Sequence, residues 1–380
     1  MIVVAAGGVY AIHRGASGYY VFAPGTAPLL TSDRACKGNN QLVLPSGEPC
    51  VRIEVPAGLA AKLSGQLFMV DVDVGPATSI QYVLGKLGLL DHLRHGEVLV
   101  PAAAYTGGHS PSQVACAAAA EMSGAQEAAP VAALRRLGYQ VTEVDKGAGV
   151  SQVVPGSPAA NAGLRCNQVI TALDGIATPN PADLVNQLHH HKVGDRVMVT
   201  TTDAAGGTPT TVAVTLGPTP AKTAADQKEP ASTPFLGVAT LTDVTYKLPI
   251  DVTIDAGNIG GPSAGLAFTL GIMDLLSGGN LTGSAKVAAT GAIEPDGTVD
   301  PIGGVAQKAV AVERAGATVF LVPQANYKDA KAAASAKLRV EPVSNLEQAL
   351  SDLAALGGTI PAATYALSHP VPAATGANAA

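Results

Sequence analysis

Apolar and polar positions change rhythm several times along the 380 residues. Between 19 and 75 they alternate or run apolar between Gly and Pro punctuation. YYVFAPG, QLVL, CVRIEV and QLFMVDVDV therefore predict a β-rich segment. SIQYVLGKLGLL (79–90) and SPSQVACAAAAEMSGAQEAAPVAALRRLG (110–138) predict helices. The second has Ser110-Pro111 as a start signal and Gly138 as a stop, and Pro130 within it is expected to kink or split it. A tighter unit follows over 149–217. Its strand GVSQVV leads to a turn and short helix, PGSPAANAGL, then a strand, QVITALDG, a helix, PADLVNQLHHH, and two further strands. Residues 219–234 read as a Pro/Ala/Thr linker without periodicity. Strands and helices alternate again over 235–357, and 358–380 reads as a disordered tail.

Composition adds constraints. Hydrophobic residues make up 47% of the chain and charged ones 14%, so an ample core is available; with no Trp it must be aliphatic. The net charge of −6 argues against a nucleic-acid partner. A mean hydropathy of +0.27 is high, yet no apolar run reaches the roughly 18–20 residues of a spanning helix. The apolar start MIVVAAGGVYAI, closed by His13 and Arg14, has two readings: a short buried strand, or the end of a membrane anchor or signal over residues 1–16. Cys36 and Cys50 bracket a polar loop, which suits a small disulfide or two unrelated thiols; Cys166 reads as a small core residue. Without CxxC or H-E-x-x-H, no metal site and no cofactor is expected, and His189–His191 read as a solvated helix end.

The stretch GVSQVVPGSPAANAGLRCNQVITALDG, followed by PADLVNQL and VGDRVMV, resembles bacterial PDZ domains over 139–218. That resemblance implies binding of extended peptide tails beside a strand and a helix wall at 181–188, with Leu184 and Leu188 as groove residues. The carboxylate loop would precede the first strand, near Gly138–Val141; a spacer barrel is the alternative. Residues 250–323 resemble the proteolytic domain of the Lon family. The carrying motifs are GGPSAG (260–265), ATGAI (289–293) and PIGGVAQK (301–308), followed by AVERAGATVFLVP.

The combination resembles the membrane-anchored, secreted PDZ–Lon peptidases of bacteria. It implies an α+β fold: a Lon-type proteolytic domain (ribosomal-protein-S5-domain-2-like) over 235–357, a PDZ β-barrel, and a β-rich region over 17–138. The β-α portion that ends at 138 resembles the opening of a Lon domain, so the PDZ unit is expected to be inserted into it, with the next strand resuming near 235. The resemblance further implies unfolded or extended polypeptide substrates and a homo-oligomer, commonly a hexamer. Its implied location is the extracytoplasmic side of a bacterial membrane by an N-terminal anchor, or a secreted soluble form. Two departures stand out: Gly260 sits where full-length Lon often has an acidic residue, and the anchor is cut to a dozen residues.

The residues can also be judged without the family. Gly261-Pro262-Ser263-Ala264-Gly265 formally matches a nucleophile elbow, but the only later His is His369, in the apparent tail, so a Ser-His-Asp triad is disfavoured. A serine without a histidine needs a lysine kept neutral by burial. On the helix after Gly304, Lys308 falls within about 60° of Val305, Ala311, Val312 and Ala315, whereas Glu313 and Arg314 fall about 120° or more away. Lys308 thus shares the apolar stripe. Pro262 suits the first turn of the apolar helix SAGLAFTLGIMDLL, where Ser263 lies near open N–H groups and Gly261 lets a backbone approach. Taken alone, Ser263 would read as a helix cap. Gly303 and Gly304 support the lysine helix, and the family resemblance makes Thr290 a partner orienting Lys308; Asp296 and Asp300 read as turn formers. No G-x-x-x-x-G-K-[ST] occurs, so ATP-independent cleavage is expected. The rival readings are a non-catalytic PDZ scaffold and a phosphate-binding small-molecule kinase.

Overall fold

A computed structural model describes residues 15–38, 41–56, 58–93, 95–203, 207–220 and 233–370. The apolar start, most of the expected linker and the last ten residues lie outside these. In chain order the first elements are β1 (Gly15–Pro24), β2 (Leu29–Thr31), β3 (Cys50–Glu54), β4 (Gln66–Phe68), β5 (Val72–Thr78), α1 (Ser79–Lys86), α2 (Leu90–Leu93), β6 (Val98–Pro101), α3 (Ala102–Thr106) and α4 (Pro111–Arg136). The middle of the chain forms β7 (Thr142–Val153), α5 (Pro158–Asn161), β8 (Gln168–Leu173), β9 (Ile176–Ala177), α6 (Pro181–Leu188), β10 (Arg196–Asp203), β11 (Thr210–Thr215), β12 (Gly217–Pro218), β13 (Pro234–Phe235) and β14 (Val238–Lys247). The remainder forms β15 (Thr253–Asp255), a 3₁₀ turn (Pro262–Ala264), α7 (Gly265–Leu276), β16 (Lys286–Ala289), β17 (Ala292–Ile293), β18 (Val299–Asp300), α8 (Val305–Arg314), β19 (Val319–Pro323), α9 (Tyr327–Ala333), β20 (Arg339–Val343), α10 (Leu346–Ala355) and α11 (Tyr365–Ser368).

The chain divides into two compact units. Of the described residues, those within 1–110, 124–141 and 248–380 form one, and those within 111–123 and 142–247 the other. In sequence, the second therefore interrupts the first.

The first unit is built on a seven-stranded mixed sheet of order β15-β3-β2-β4-β16-β19-β20. Strands from before residue 69 and after residue 252 share this sheet, with β4, β16, β19 and β20 parallel in succession. All five residues of β19 (VFLVP) are buried, as a central parallel strand requires. On this sheet α8, α9 and the strands enclose a core that includes Phe68, Val70, Ala309, Val312, Phe320 and Val340. Helix α7 packs over β2 and β3 closely enough that a Cβ on Gly271 would meet Ile53 and Leu30, and every one of its twelve residues is buried. A smaller sheet, β5-β1-β6, carries α1 and α2.

Helix α4 runs through Pro130, where a kink or a split is expected, without a split. Val131, Ala132, Ala133 and Leu134 are all buried, so packing outweighs the lost backbone bond. Residues 79–90 form two helices rather than one, separated by a turn at Gly88. The expected disordered tail is ordered through 370: Tyr365 Oη donates to Leu276 O at 2.8 Å, and Tyr139 Oη donates to His369 O at 2.9 Å. Among the described residues, no helix is long and apolar enough to cross a membrane.

The second unit has the sheet order β11-β10-β8-β7-β14, with β9 paired to β8. Its core gathers Ala148, Ile170, Leu184, Leu188, Val197, Val199 and Val214. The expected boundary at residue 235 leaves β14 with the other unit. In the structure β14 pairs antiparallel with the whole of β7, from Val238↔Val153 to Lys247↔Thr142, and the large sheet resumes only at β15.

Candidate active site

Three segments of the first unit converge at the carboxyl end of β16. Thr290 follows its last residue, Ser263 sits in the 3₁₀ turn ahead of α7, and Lys308 lies in the first turns of α8. The turn is tied down by its neighbours: Gly291 N–H donates to Ser263 O at 2.8 Å and Leu266 N–H to Gly291 O at 3.0 Å. Gly261 enters it at φ 90, a conformation that side chains resist, and no heavy atom lies within 4 Å of where its Cβ would stand. Gly304, at φ 67, opens α8; a Cβ there would fall 2.8 Å from a Val72 methyl, so both backbone and space call for glycine. Gly303 belongs to the same turn, and a Cβ on it would meet nothing within 4 Å.

Lys308 Nζ stands 2.6 Å from Ser263 Oγ and 3.1 Å from Thr290 Oγ1. Thr290 Oγ1 in turn donates to Ser263 O at 3.0 Å, so its lone pairs are what it offers the lysine. Lys308 is 2% exposed, Thr290 is fully buried, and Val305, Ala309, Ala311 and Val312 around the lysine are buried. Desolvation pulls the Lys308 pKa down to about 7, against an opposing pull from the Asp71 charge. At neutral pH a large share of the amine is therefore unprotonated. In that state one N–H is directed at Thr290 and the lone pair can accept the Ser263 hydroxyl proton.

Asp71 is a contributor that pattern reading missed. It lies between β4 and β5, where its carboxylate accepts the Thr26 N–H and, at 2.9 Å, the Thr26 hydroxyl. Burial pushes its pKa up, while these two hydrogen bonds and the Lys308 charge pull it down. The only sequence trace was an acidic residue inside the apolar run FMVDV.

The other expected residues fall elsewhere. Cys36 and Cys50 form a disulfide with Cα atoms 6.0 Å apart. Cys166, read as a core thiol, is half-buried and paired with Cys116. Asp296 accepts the Thr298 N–H at 2.9 Å, as a turn former does. The His369 ring stacks on Tyr365 with centroids 3.9 Å apart. Among the described residues no cluster of His, Cys, Asp and Glu suits a metal ion.

In the second unit, Leu184 and Leu188 are buried in its core, 2% and 8% exposed, and Val185 is the large apolar side chain that α6 leaves at the surface, 46% exposed. Gly138–Val141 does not lead into an open strand edge. Gly138 closes α4, its N–H donating to Arg135 O at 3.0 Å, and β7 is covered on one side by β8 and on the other by β14. The sheet edge next to α6 is β14 itself, entered through the Pro234–Gly237 loop, whose Leu236 and Gly237 carbonyls accept the N–H groups of Ala159 and Val154, both at 2.9 Å.

Comparison with known proteins finds two domains whose bounds differ from those of the two compact units, with β14 falling in the proteolytic-domain match. Residues 238–355 match the Lon protease (S16) C-terminal proteolytic domain, and residues 136–216 match the PDZ domain. The chain carries both domains. It is 45% identical over 82 residues to the Lon protease of Frankia alni, covering 21% of this chain and 9% of that one. It is 36% identical over 106 residues to the Lon protease of Rickettsia bellii, covering 27% of this chain and 13% of that one. It thus spans about a tenth of the length of these curated relatives. It is also similar to the PDZ domain of an SdrC-like protein from Listeria monocytogenes, at 25% identity and a TM-score of 0.20, covering 25% of this chain and 87% of that one.

Proposed function

Starting from a chain that carries a Lon-type proteolytic domain and a PDZ domain, we propose that it is an ATP-independent serine endopeptidase acting on unfolded or extended polypeptides. The observation that carries this reading is the 2.6 Å contact between Ser263 Oγ and a buried lysine amine whose pKa lies near 7. Neutral Lys308 takes the Ser263 proton as Oγ attacks the scissile carbonyl, forming a tetrahedral intermediate. We assign its oxyanion to the Ser263 and Ala264 N–H groups at the first turn before α7. Lys308, now an ammonium held by Thr290, protonates the leaving amine. Water then hydrolyses the acyl-enzyme, with the same lysine as base.

The PDZ domain recruits substrate tails by strand addition, for which the β14 edge beside α6 is the available template. The protein acts at the extracytoplasmic side of a bacterial membrane or in secreted form, as a homo-oligomer in the manner of Lon rings. The test is hydrolysis of unfolded casein by the full chain without nucleotide. Wild type should cleave and Ser263→Ala should not. Equal cleavage by both would refute the reading, and absence of cleavage in wild type would favour a binding scaffold.

A further inference from the structure

Helix α1 is amphipathic in an unusual sense: none of its residues is buried. Leu84 turns toward the small cluster of Val21, Ala77 and Leu90, and Gly85 abuts Leu99. An adjoining stripe carries Ile80, Val83 and Leu87, spaced to share one face, with 45%, 52% and 64% of their surfaces exposed. Leu89 and Leu93 (42% and 67% exposed) continue the apolar surface along the turn and α2. Five exposed large apolar side chains, Ile80, Val83, Leu87, Leu89 and Leu93, thus fall on α1, α2 and the turn between them.

The border of the patch has a distinct chemistry. Lys86 lies over the Tyr19 ring, 4.5 Å from its centroid, and donates to the Tyr19 hydroxyl at 2.7 Å; the Tyr82 ring is 5.6 Å away. Of the nearby acids Glu97 is turned inward, whereas Asp91 is bonded to the backbone but exposed. Asp91 accepts the Gly96 N–H at 2.7 Å, and Glu97, 9% exposed, accepts the Gln81 amide at 2.8 Å. What faces outward is an apolar stripe edged by two tyrosines, the Lys86 cation and the exposed Asp91, an amphipathic composition suited to a bilayer interface. The chain's entry point lies alongside. Gly15, which follows the uncharged run MIVVAAGGVYAI and His13-Arg14, pairs with Thr78, and the Thr78 side chain caps α1. The longest apolar run outside the described residues thus joins the fold at the start of this helix.

We propose that α1 and α2 form a membrane-contacting hairpin that seats the first unit on a lipid surface, with Ile80, Val83, Leu87 and Leu93 in the interface and Lys86 at the headgroup level. This inference stands apart from the catalytic reading. A second copy of the chain is the competing occupant of the patch.

The chain contains no Trp, so Leu87→Trp in the full-length protein creates a single reporter on the stripe. Vesicles of phosphatidylcholine and phosphatidylglycerol should shift its emission to the blue, and brominated acyl chains should quench it about twofold. Leu367→Trp, at an 83% exposed leucine of α11, should be neither shifted nor quenched. Unchanged emission at position 87 on vesicle-bound protein would overturn the proposal. So would a blue shift that depends on protein concentration without vesicles, which would mark a contact between copies. As a second measure, Ile80→Ser/Val83→Ser/Leu87→Ser should lower vesicle partition about tenfold while far-ultraviolet circular dichroism is retained. Unaltered partition in this folded variant would also overturn it.

Discussion

A lysine held near pKa 7 is a burden on the fold, and its removal should stabilise the protein. In the unfolded chain Lys308 titrates near its ordinary value of 10.5; in the folded chain it does so at about 7. Between those values the unfolded state binds more protons, so stability rises with pH. Below about 7 the penalty is fully present, and it is released as pH climbs toward 10.5. Linkage puts it at roughly 4 kcal/mol at pH 7 and under about 1 kcal/mol at pH 10. Lys308→Met preserves length and apolar packing but gives up the contacts with Ser263 and Thr290, about 1 kcal/mol each. The variant should therefore be more stable than wild type by about 2 kcal/mol at pH 7, equal near pH 9, and less stable at pH 10. Urea unfolding at the three pH values measures this. A variant less stable than wild type at pH 7, or a difference that ignores pH, would refute the reasoning.

Other consequences follow from the same geometry. The Asp71 charge holds the Lys308 pKa up, so Asp71→Asn should lower it further and move the acid limb of the kcat/KM profile to lower pH; a limb that stays put or moves up would count against this role. Thr290→Val removes the acceptor that orients the amine and should cut kcat about tenfold or more, with Thr290→Ser recovering most of it. The Cys36–Cys50 bridge closes a short loop, so Cys36→Ser should lower stability by about 3 kcal/mol under oxidising conditions, and prior reduction of wild type should erase that difference in unfolding assays.

Local periodicity made much of this architecture legible. Lys308 showed itself because a helix has a fixed period, and a cation placed among Val305, Ala311 and Val312 must be buried on any compact fold. The buried run after Ser263 was legible for the same reason. Long-range pairing was not. β14 joins β7 from more than eighty residues away, and nothing in LGVATLTDVTYK names its partner, so the strand edge beside α6 is not legible in the sequence. Asp71 escaped notice because its relation to Lys308 exists only once β4 and α8 are assembled. Pro130 and the segment through His369 misled in the opposite direction. Local signals favoured a break and a free tail, whereas buried packing around Leu134 and hydrogen bonds from Tyr139 and Tyr365 hold them in place.

The central claim is that Lys308 activates Ser263, and the most direct measurement is the rate at which a fluorophosphonate probe labels the full chain across pH, with the site mapped by peptide mass spectrometry. The account predicts a single adduct on Ser263, forming faster as pH rises through about 7 and levelling off above it, with labelling abolished in Lys308→Met. Labelling of Ser263 at the same rate in Lys308→Met, or a wild-type rate that does not change through neutral pH, would contradict it.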